Sequence, residues 1–243
     1  MGSGKALRTY IESDVERVVC VYGTRAALVV LNVNDGSLYK KKALSDSLGQ
    51  ISDVETIIDA ANNQLQGFAI VGHSYIEVGS GTDGCTSRCS DIRGQIHILT
   101  SNLVLEKSNV WDGFAGGLYQ YAGISHEYGT LINTECWGVA KSYTEAGIHD
   151  GFIVGCGNGI EGCPSSGFSS AAKKWCQSDP RKSWRSLLVK TNLEGTIVWY
   201  RQDNFWNGEE NPGTSASEYV ISQGNKIISV NDELLGVGLQ ILE

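Results

Sequence analysis

"LVVLNVNDGSLYK" spans residues 28–40, and "LLVKTNLEGTIVW" spans residues 187–199. The two align without a gap. Leu28 meets Leu187, Val30 meets Val189, Asp35-Gly36 meets Glu194-Gly195, and Leu38 meets Ile197. Each reads as two apolar strands joined by a tight turn. The acid–glycine pair supplies a residue free to adopt positive φ, as such hairpins require. A degenerate third copy, "IHILTSNLVLEK" at 96–107, keeps the strands, carries Asn102 at the turn and is about two residues shorter.

A second unit recurs between these hairpins. It is seen in "ETIIDAANNQLQGFAIVGHS" (55–74), "ECWGVAKSYTEAGIHDGFIVGCGN" (135–158) and "SEYVISQGNKIISVND" (217–232). Each is a strand, a short polar turn and a second strand. "SDVERVV" (13–19) also echoes "SDVETII" (52–58). Repeats are weighed before local motifs. Unit and hairpin alternate, so four sequential strands form one module, and no helical period is sustained. The expected fold is all-β. It is a small β-propeller of about four sequential four-stranded antiparallel blades in one domain, residues 1–243. The blades fall at about 6–50, 53–110, 135–202 and 216–243. The last ends in "LLGVGLQILE" with no fourth strand, which leaves an open edge at 234–242. Either "ALRTYIES" (6–13) fills that edge and closes the ring, or further blades lie outside this sequence.

"VVCVYGTRAALVVLNVNDGSLYKKK" and "GTIVWYR" resemble the strand–Gly–strand–Asp-Gly–strand repeats of quinoprotein-like and related bacterial-type β-propellers. The resemblance covers most of the chain and concerns architecture. Quinone-dependent dehydrogenases of that group use eight blades, an adjacent cysteine pair and metal-binding acids. This chain is too short for eight blades and has no adjacent cysteines, so their activity is not carried over. The Asp-box order is also missed, since "SGTDG" (80–84) misplaces the acid.

Composition fits short strands and turns. The chain has 243 residues, 41% of them apolar and 19% charged, with 30 glycines and 3 prolines. A net charge of −8 argues against a general nucleic-acid partner. "KKK" (40–42) and "RKSWR" (181–185) read as solvated edges or loops. No apolar run approaches the ~18 residues of a membrane span. The start "MGSGKALR" lacks a signal-peptide core and, with Ala6 at the last place, misses the myristoylation pattern.

Cys20 and Cys136 lie in apolar runs and read as buried thiols. Cys85, Cys89, Cys156, Cys163 and Cys176 lie in or beside Gly/Ser-rich segments. The expected disulfides are Cys85–Cys89 with Cys156–Cys163 or Cys163–Cys176, which implies an extracellular or other oxidising compartment. Structural zinc on these sulfurs is the weaker alternative, because no second tight pair matches Cys85 and Cys89. No N-x-S/T acceptor occurs to support secretion.

In such a blade the first and third turns share one end, and the second turn and the link to the next blade share the other. Here the first class is short throughout. The second holds every insertion, at 74–93, 108–134, 157–184 and 202–216. Recognition commonly sits on such loops. They carry Trp111, Phe114, Tyr119, Tyr121, His126, Tyr128, Trp175, Trp184, Phe205 and Trp206, and aromatic anchors give much contact at low entropic cost. The expected activity is therefore non-catalytic binding of a protein or glycan. One rival is a hydrolase or lyase with His126, Glu127 and Asp112 at a channel mouth. Another is a structural subunit whose 234–242 edge a neighbour completes. His73 and His97 read as structural, and His149 falls in a short turn at the opposite end. "DNFWNGEENPG" (203–213) offers calcium ligands or sugar stacking without EF-hand spacing, so no cofactor is expected.

Overall fold

The computed structural model describes residues 4–22, 27–44, 49–59, 61–78, 89–111, 133–159, 185–203, 215–223, 226–233 and 236–242. All regular structure among them is β-strand. Sheet I contains β1 (Gly4–Glu12), β2 (Val15–Tyr22), β3 (Ala27–Asn32) and β4 (Leu38–Ala43). Sheet II contains β5 (Gln50–Ile58), β6 (Leu65–Val78), β7 (Cys89–Thr100) and β8 (Leu105–Val110). Sheet III contains β9 (Asn133–Tyr143), β10 (His149–Gly159), β11 (Arg185–Asn192) and β12 (Ile197–Asp203). Sheet IV has three strands, β13 (Ser215–Gln223), β14 (Lys226–Glu233) and β15 (Gly236–Leu242). Every strand pairs antiparallel with its sequence neighbour.

The N-terminal strand does not complete sheet IV, so the closure weighed above as one of two alternatives is not observed. β1 pairs with β2, with Leu7 opposite Cys20 and Glu12 opposite Val15. The reason is local. Ser13 and Asp14, with φ of 52° and 62°, make a two-residue left-handed turn, and so short a loop costs the least entropy to close. "SDVERVV" therefore begins in a turn, whereas "SDVETII" lies within β5, and the two are not equivalent in the fold.

The hairpin signals explain the turns. Gly36 and Gly195 sit at φ of 68° and 80°, the conformation that favours glycine. The turns Thr100–Val104, Thr144–Ile148 and Asn192–Thr196 share one pattern. In each, the first residue's N–H donates to the last residue's carbonyl, and the fourth residue's N–H donates back to the first. The left-handed fourth position is Leu103, Gly147 or Gly195. The first residue's side chain accepts from the last N–H, through Thr100 Oγ1, Thr144 Oγ1 or Asn192 Oδ1. The degenerate 96–107 hairpin thus keeps the turn of 192–196, with Leu103 in glycine's place. Leu103 is 2% exposed, so its buried side chain offsets the backbone strain.

The sheets stack in sequence order, and each joint is lined mainly by apolar side chains. Val19, Val21, Leu28 and Val30 of sheet I meet Val54, Phe68 and Ile70 of sheet II. Ala69, Val71, Ile96 and Ile98, on the other side of sheet II, meet Val139, Phe152, Val154 and Val189 of sheet III. Ala140, Ile153 and Leu188 then meet Val220 of β13. Strand periodicity sets this, because alternate residues of β6 and β10 feed opposite joints. The first strands lie together, β1 against β5, β5 against β9 and β9 against β13.

Within each sheet the tight turns leave one end and the remaining connections leave the other. β6 and β7 pair as far as Val78 opposite Cys89, while β5 begins at Gln50 opposite His73. The strands therefore take up part of what reads as the 74–93 loop. Likewise β10 runs through Cys156 to Gly159.

Candidate functional site

A cleft of about 840 Å³ lies where the first strands converge. Its lining comes from β1 (Lys5, Leu7, Arg8), β5 (Ser52, Asp53, Glu55), β9 (Trp137, Val139) and β13 (Val220, Ile221), with Cys20 and Tyr22 of β2. All four sheets contribute.

Its charged floor is built on Asp53. The Arg8 guanidinium donates through Nη2 to Asp53 Oδ2 at 3.1 Å and through Nε to Glu55 Oε2 at 3.2 Å. The same Nη2 reaches the Val139 carbonyl at 3.2 Å, and Nη1 reaches the Leu7 carbonyl at 2.9 Å. Asp53 Oδ2 also accepts from the Val139 N–H at 2.9 Å, and Oδ1 from the Val54 N–H at 2.8 Å. Lys141 Nζ stands 3.8 Å from Glu55 Oε1. One carboxylate thus holds sheets I, II and III together.

Burial opposes these charges. It pushes the Asp53 carboxyl above the usual carboxylate range, and Arg8 and the two N–H donors pull it only part of the way back. Burial also works against the Arg8 charge, but Asp53 and Glu55 outweigh it and its pKa is raised. Lys141 is lowered by burial, with Glu55 opposing. Such a floor fixes geometry more than it adds stability. Above it the walls are largely apolar, and the buried Ser52 Oγ has no hydrogen-bond partner among the described residues. The cleft is chemically suited to a neutral, partly apolar guest.

The structure moves three residues, Trp111, Cys136 and Cys156, from the roles read in the sequence. Trp111 is only 7% exposed, packs in the joint between sheets II and III, and its backbone N–H donates to the Gly94 carbonyl. It is core rather than an exposed loop aromatic. Cys136 is not a free thiol, and Cys156 pairs with neither Cys163 nor any loop sulfur. The two form a disulfide across β9 and β10, where they are register partners with Cα atoms 4.0 Å apart. Facing strand positions bring the sulfurs together more closely than loop spacing can. Cys20 is free and half-buried, its thiol pKa raised by burial.

His73 and His97 are buried, at 2% and 1% exposure. Burial lowers each to about 4. His149 meets the rings of Tyr143 and Phe152 and bonds through Nε2 to the Gly151 carbonyl at 3.0 Å. Cys89 is the first residue of β7. Asp112, Phe114, Tyr119, Tyr121, His126, Glu127, Tyr128, Trp175, Trp184, Phe205, Trp206, Cys85, Cys163 and Cys176 lie outside the described residues.

Sequence reasoning passed over Arg8, Asp53, Glu55 and Lys141. The available signal was charge inside strands otherwise apolar, in "KALRTY", "SDVETII" and "GVAKSY".

No family model matches the chain, and no curated protein matches it. Solved structures are similar to the chain, and two of them illustrate the range. The β-propeller domain of Myceliophteria thermophila Cps50 (Swd1) aligns over 100% of this chain at 7% identity and a TM-score of 0.42. This chain spans 55% of that structure. A DUF4221 family member from Bacteroides vulgatus aligns over 99% of this chain and 93% of its own, at 6% identity and a TM-score of 0.25. The fold described above rests on strand pairing and on the joints between sheets.

Proposed function

We propose that the four sheets are consecutive blades of a β-propeller and that the chain is a non-catalytic binding module. It recognises a protein or glycan through the long, aromatic-rich connections. The observation that carries this reading is the asymmetry within sheets II and III. Their tight turns leave one end, and 79–88, 112–132, 160–184 and 204–214 leave the other. These segments carry aromatic and histidine side chains that suit an anchor role; Trp111 is buried core, and the other nine lie outside the described residues. The Cys136–Cys156 disulfide supports an oxidising compartment. No helix among the described residues is long and apolar enough to cross a membrane.

The test is binding of the purified chain to a glycan array and to displayed peptide libraries. It is repeated with Trp175→Ala and Trp206→Ala combined. The expected result is a ligand class bound by the parent and weakened about tenfold or more in the variant, with the strand signal in circular dichroism unchanged. Equal binding by the two proteins contradicts the loop assignment. Turnover of glycoside or ester substrates lost on His126→Ala favours the enzyme reading. The structural-subunit reading draws its support from β15, which pairs with β14 alone among the described strands.

A further inference from the structure

Each first strand carries one residue more than its partner. On β1, Gly4 and Ala6 face Tyr22 and Val21, so Lys5 is extra. On β5, Ile51 and Asp53 face Gly72 and Val71, and Ser52 is extra. On β9, Cys136 and Gly138 face Cys156 and Gly155, and Trp137 is extra. On β13, Ser217 and Tyr219 face Asn231 and Val230, and Glu218 is extra. These are β-bulges, and counting from them brings the four strands into line. The third residue after each bulge is Arg8, Glu55, Ala140 or Ile221, and all four line the cleft. Lys5, Ser52 and Trp137 line it as well.

Bulges re-aim side chains and gather beside functional sites. Here one backbone device is repeated at one level of four strands, and it carries four unlike residues, Lys, Ser, Trp and Glu. The internal joints instead repeat Val and Ile. A repeated backbone with varied side chains suits a site for one asymmetric molecule better than a packing layer.

The charges of the floor are already committed. Arg8 donates to Asp53, Glu55 and two backbone carbonyls, and Asp53 accepts from two backbone N–H groups. Lys141 stands by Glu55. A charged guest would find no countercharge there, and burying an unpaired charge is costly. Lys5 is exposed and keeps its water. The first strands are also the edge strands of their sheets, so each presents backbone N–H and C=O groups outside its ladder. Val139 shows their use, its N–H donating to Asp53 and its carbonyl accepting from Arg8. Hydroxyls and amides pair with such groups without carrying charge.

We propose that the cleft is a small-molecule site whose ligand is an uncharged molecule with a flat apolar ring and a hydroxyl or amide group. Its volume of about 840 Å³ falls within the ~300–1,000 Å³ usual for such sites. Trp137 gives the ring an aromatic surface, Leu7, Val139 and Val220 surround it, and the strand edges take the polar group. This site is separate from the long connections and does not depend on their role.

The test uses probes that share one ring and differ in charge: naphthylmethanol, naphthoate and naphthylmethylammonium. Binding to the whole chain is followed by saturation-transfer NMR and by protection of Cys20, which lines the cleft, against iodoacetamide, read by peptide mass. The alcohol is expected to bind and to slow Cys20 alkylation. Both ions are expected to bind about tenfold more weakly or worse. Leu7→Trp fills the cleft from a position that is 59% exposed, and should abolish binding of the alcohol with the strand circular dichroism unchanged. Trp199→Ala, on β12 and away from the cleft lining, should leave binding as it was. Equal affinity for the three probes overturns the proposal. So does an alcohol that fails to bind at millimolar concentration, leaves Cys20 unprotected or is indifferent to Leu7→Trp.

Discussion

The joint between sheets II and III and the bare face of sheet I are made of the same residue types in the same alternation, yet they differ in everything that burial brings. In the joint, Phe152, Val154 and Ile96 are fully buried, a disulfide bridges β9 and β10, and Trp111 closes the margin. On the bare face, Leu7 and Ile11 are more than half exposed. The difference teaches that strand alternation specifies two apolar faces for an inner sheet, while covering them depends on the neighbour. Hydrophobic stabilisation follows the area removed from water, not the residue type. The stability of this chain should therefore be concentrated at its internal joints.

The sharpest way to break that comparison is truncation at a joint and at an outer position. Phe152→Ala should destabilise the chain by about 3–5 kcal/mol, since it removes a buried aromatic and leaves a cavity. Val198→Thr on β12, where the side chain is 58% exposed, should stay within ~0.5 kcal/mol. Urea unfolding followed by circular dichroism measures both, and equal losses would erase the distinction.

The next effect is acid sensitivity from the buried histidines. His73 and His97 are lowered from 6.5 to about 4 by burial. Between those values the unfolded chain takes up protons that the folded chain refuses. Stability present above pH 6.5 is thus lost as pH falls toward 4, by up to ~3 kcal/mol per histidine. Asp53 acts in the opposite sense, because its raised pKa makes protonation easier in the folded state. Among the described residues, neither ring nitrogen of His97 has a hydrogen-bond partner. His97→Leu should raise stability at neutral pH by about 1 kcal/mol and flatten the acid slope, as read by unfolding midpoints from pH 4 to 8.

A smaller contrast separates two turn glycines. Gly36 and Gly195 both have positive φ, but a Cβ at Gly36 meets nothing within 4 Å. At Gly195 it would come within 2.6 Å of Asn109 Nδ2, whose amide donates to the Glu194 carbonyl across the joint. Gly36→Ala should cost about 1 kcal/mol from backbone strain alone, and Gly195→Ala about 2 kcal/mol. Thermal unfolding of the two variants checks the order.

Much of the fold was legible because it is local. Residues 28–40 and 187–199 announce their hairpins through Gly36 and Gly195, and adjacent strands pair with adjacent strands. The turn at 100–104 was harder, since its left-handed residue is Leu103 and its marker is the Thr100 hydroxyl, a signal shared with Thr144 and Asn192. The candidate site was not legible. Arg8 meets Asp53 across 45 positions, and Asp53 meets the Val139 N–H across 86. Charge inside otherwise apolar strands marks these residues, but no local pattern says which partner each one meets. The Cys136–Cys156 bond was missed for the same reason, because facing positions on two strands are fixed by register and not by sequence spacing.

The order of the sheets around the cleft is tested most directly by a double-mutant cycle between Arg8→Met and Asp53→Asn. The two residues join sheet I to sheet II directly, and both also bond to the Val139 backbone of sheet III. A coupling energy of about 1–2 kcal/mol, insensitive to moderate salt, is the predicted result. Additive effects, within ~0.3 kcal/mol, would mean that β1 does not lie against β5 and that the stack is wrongly ordered.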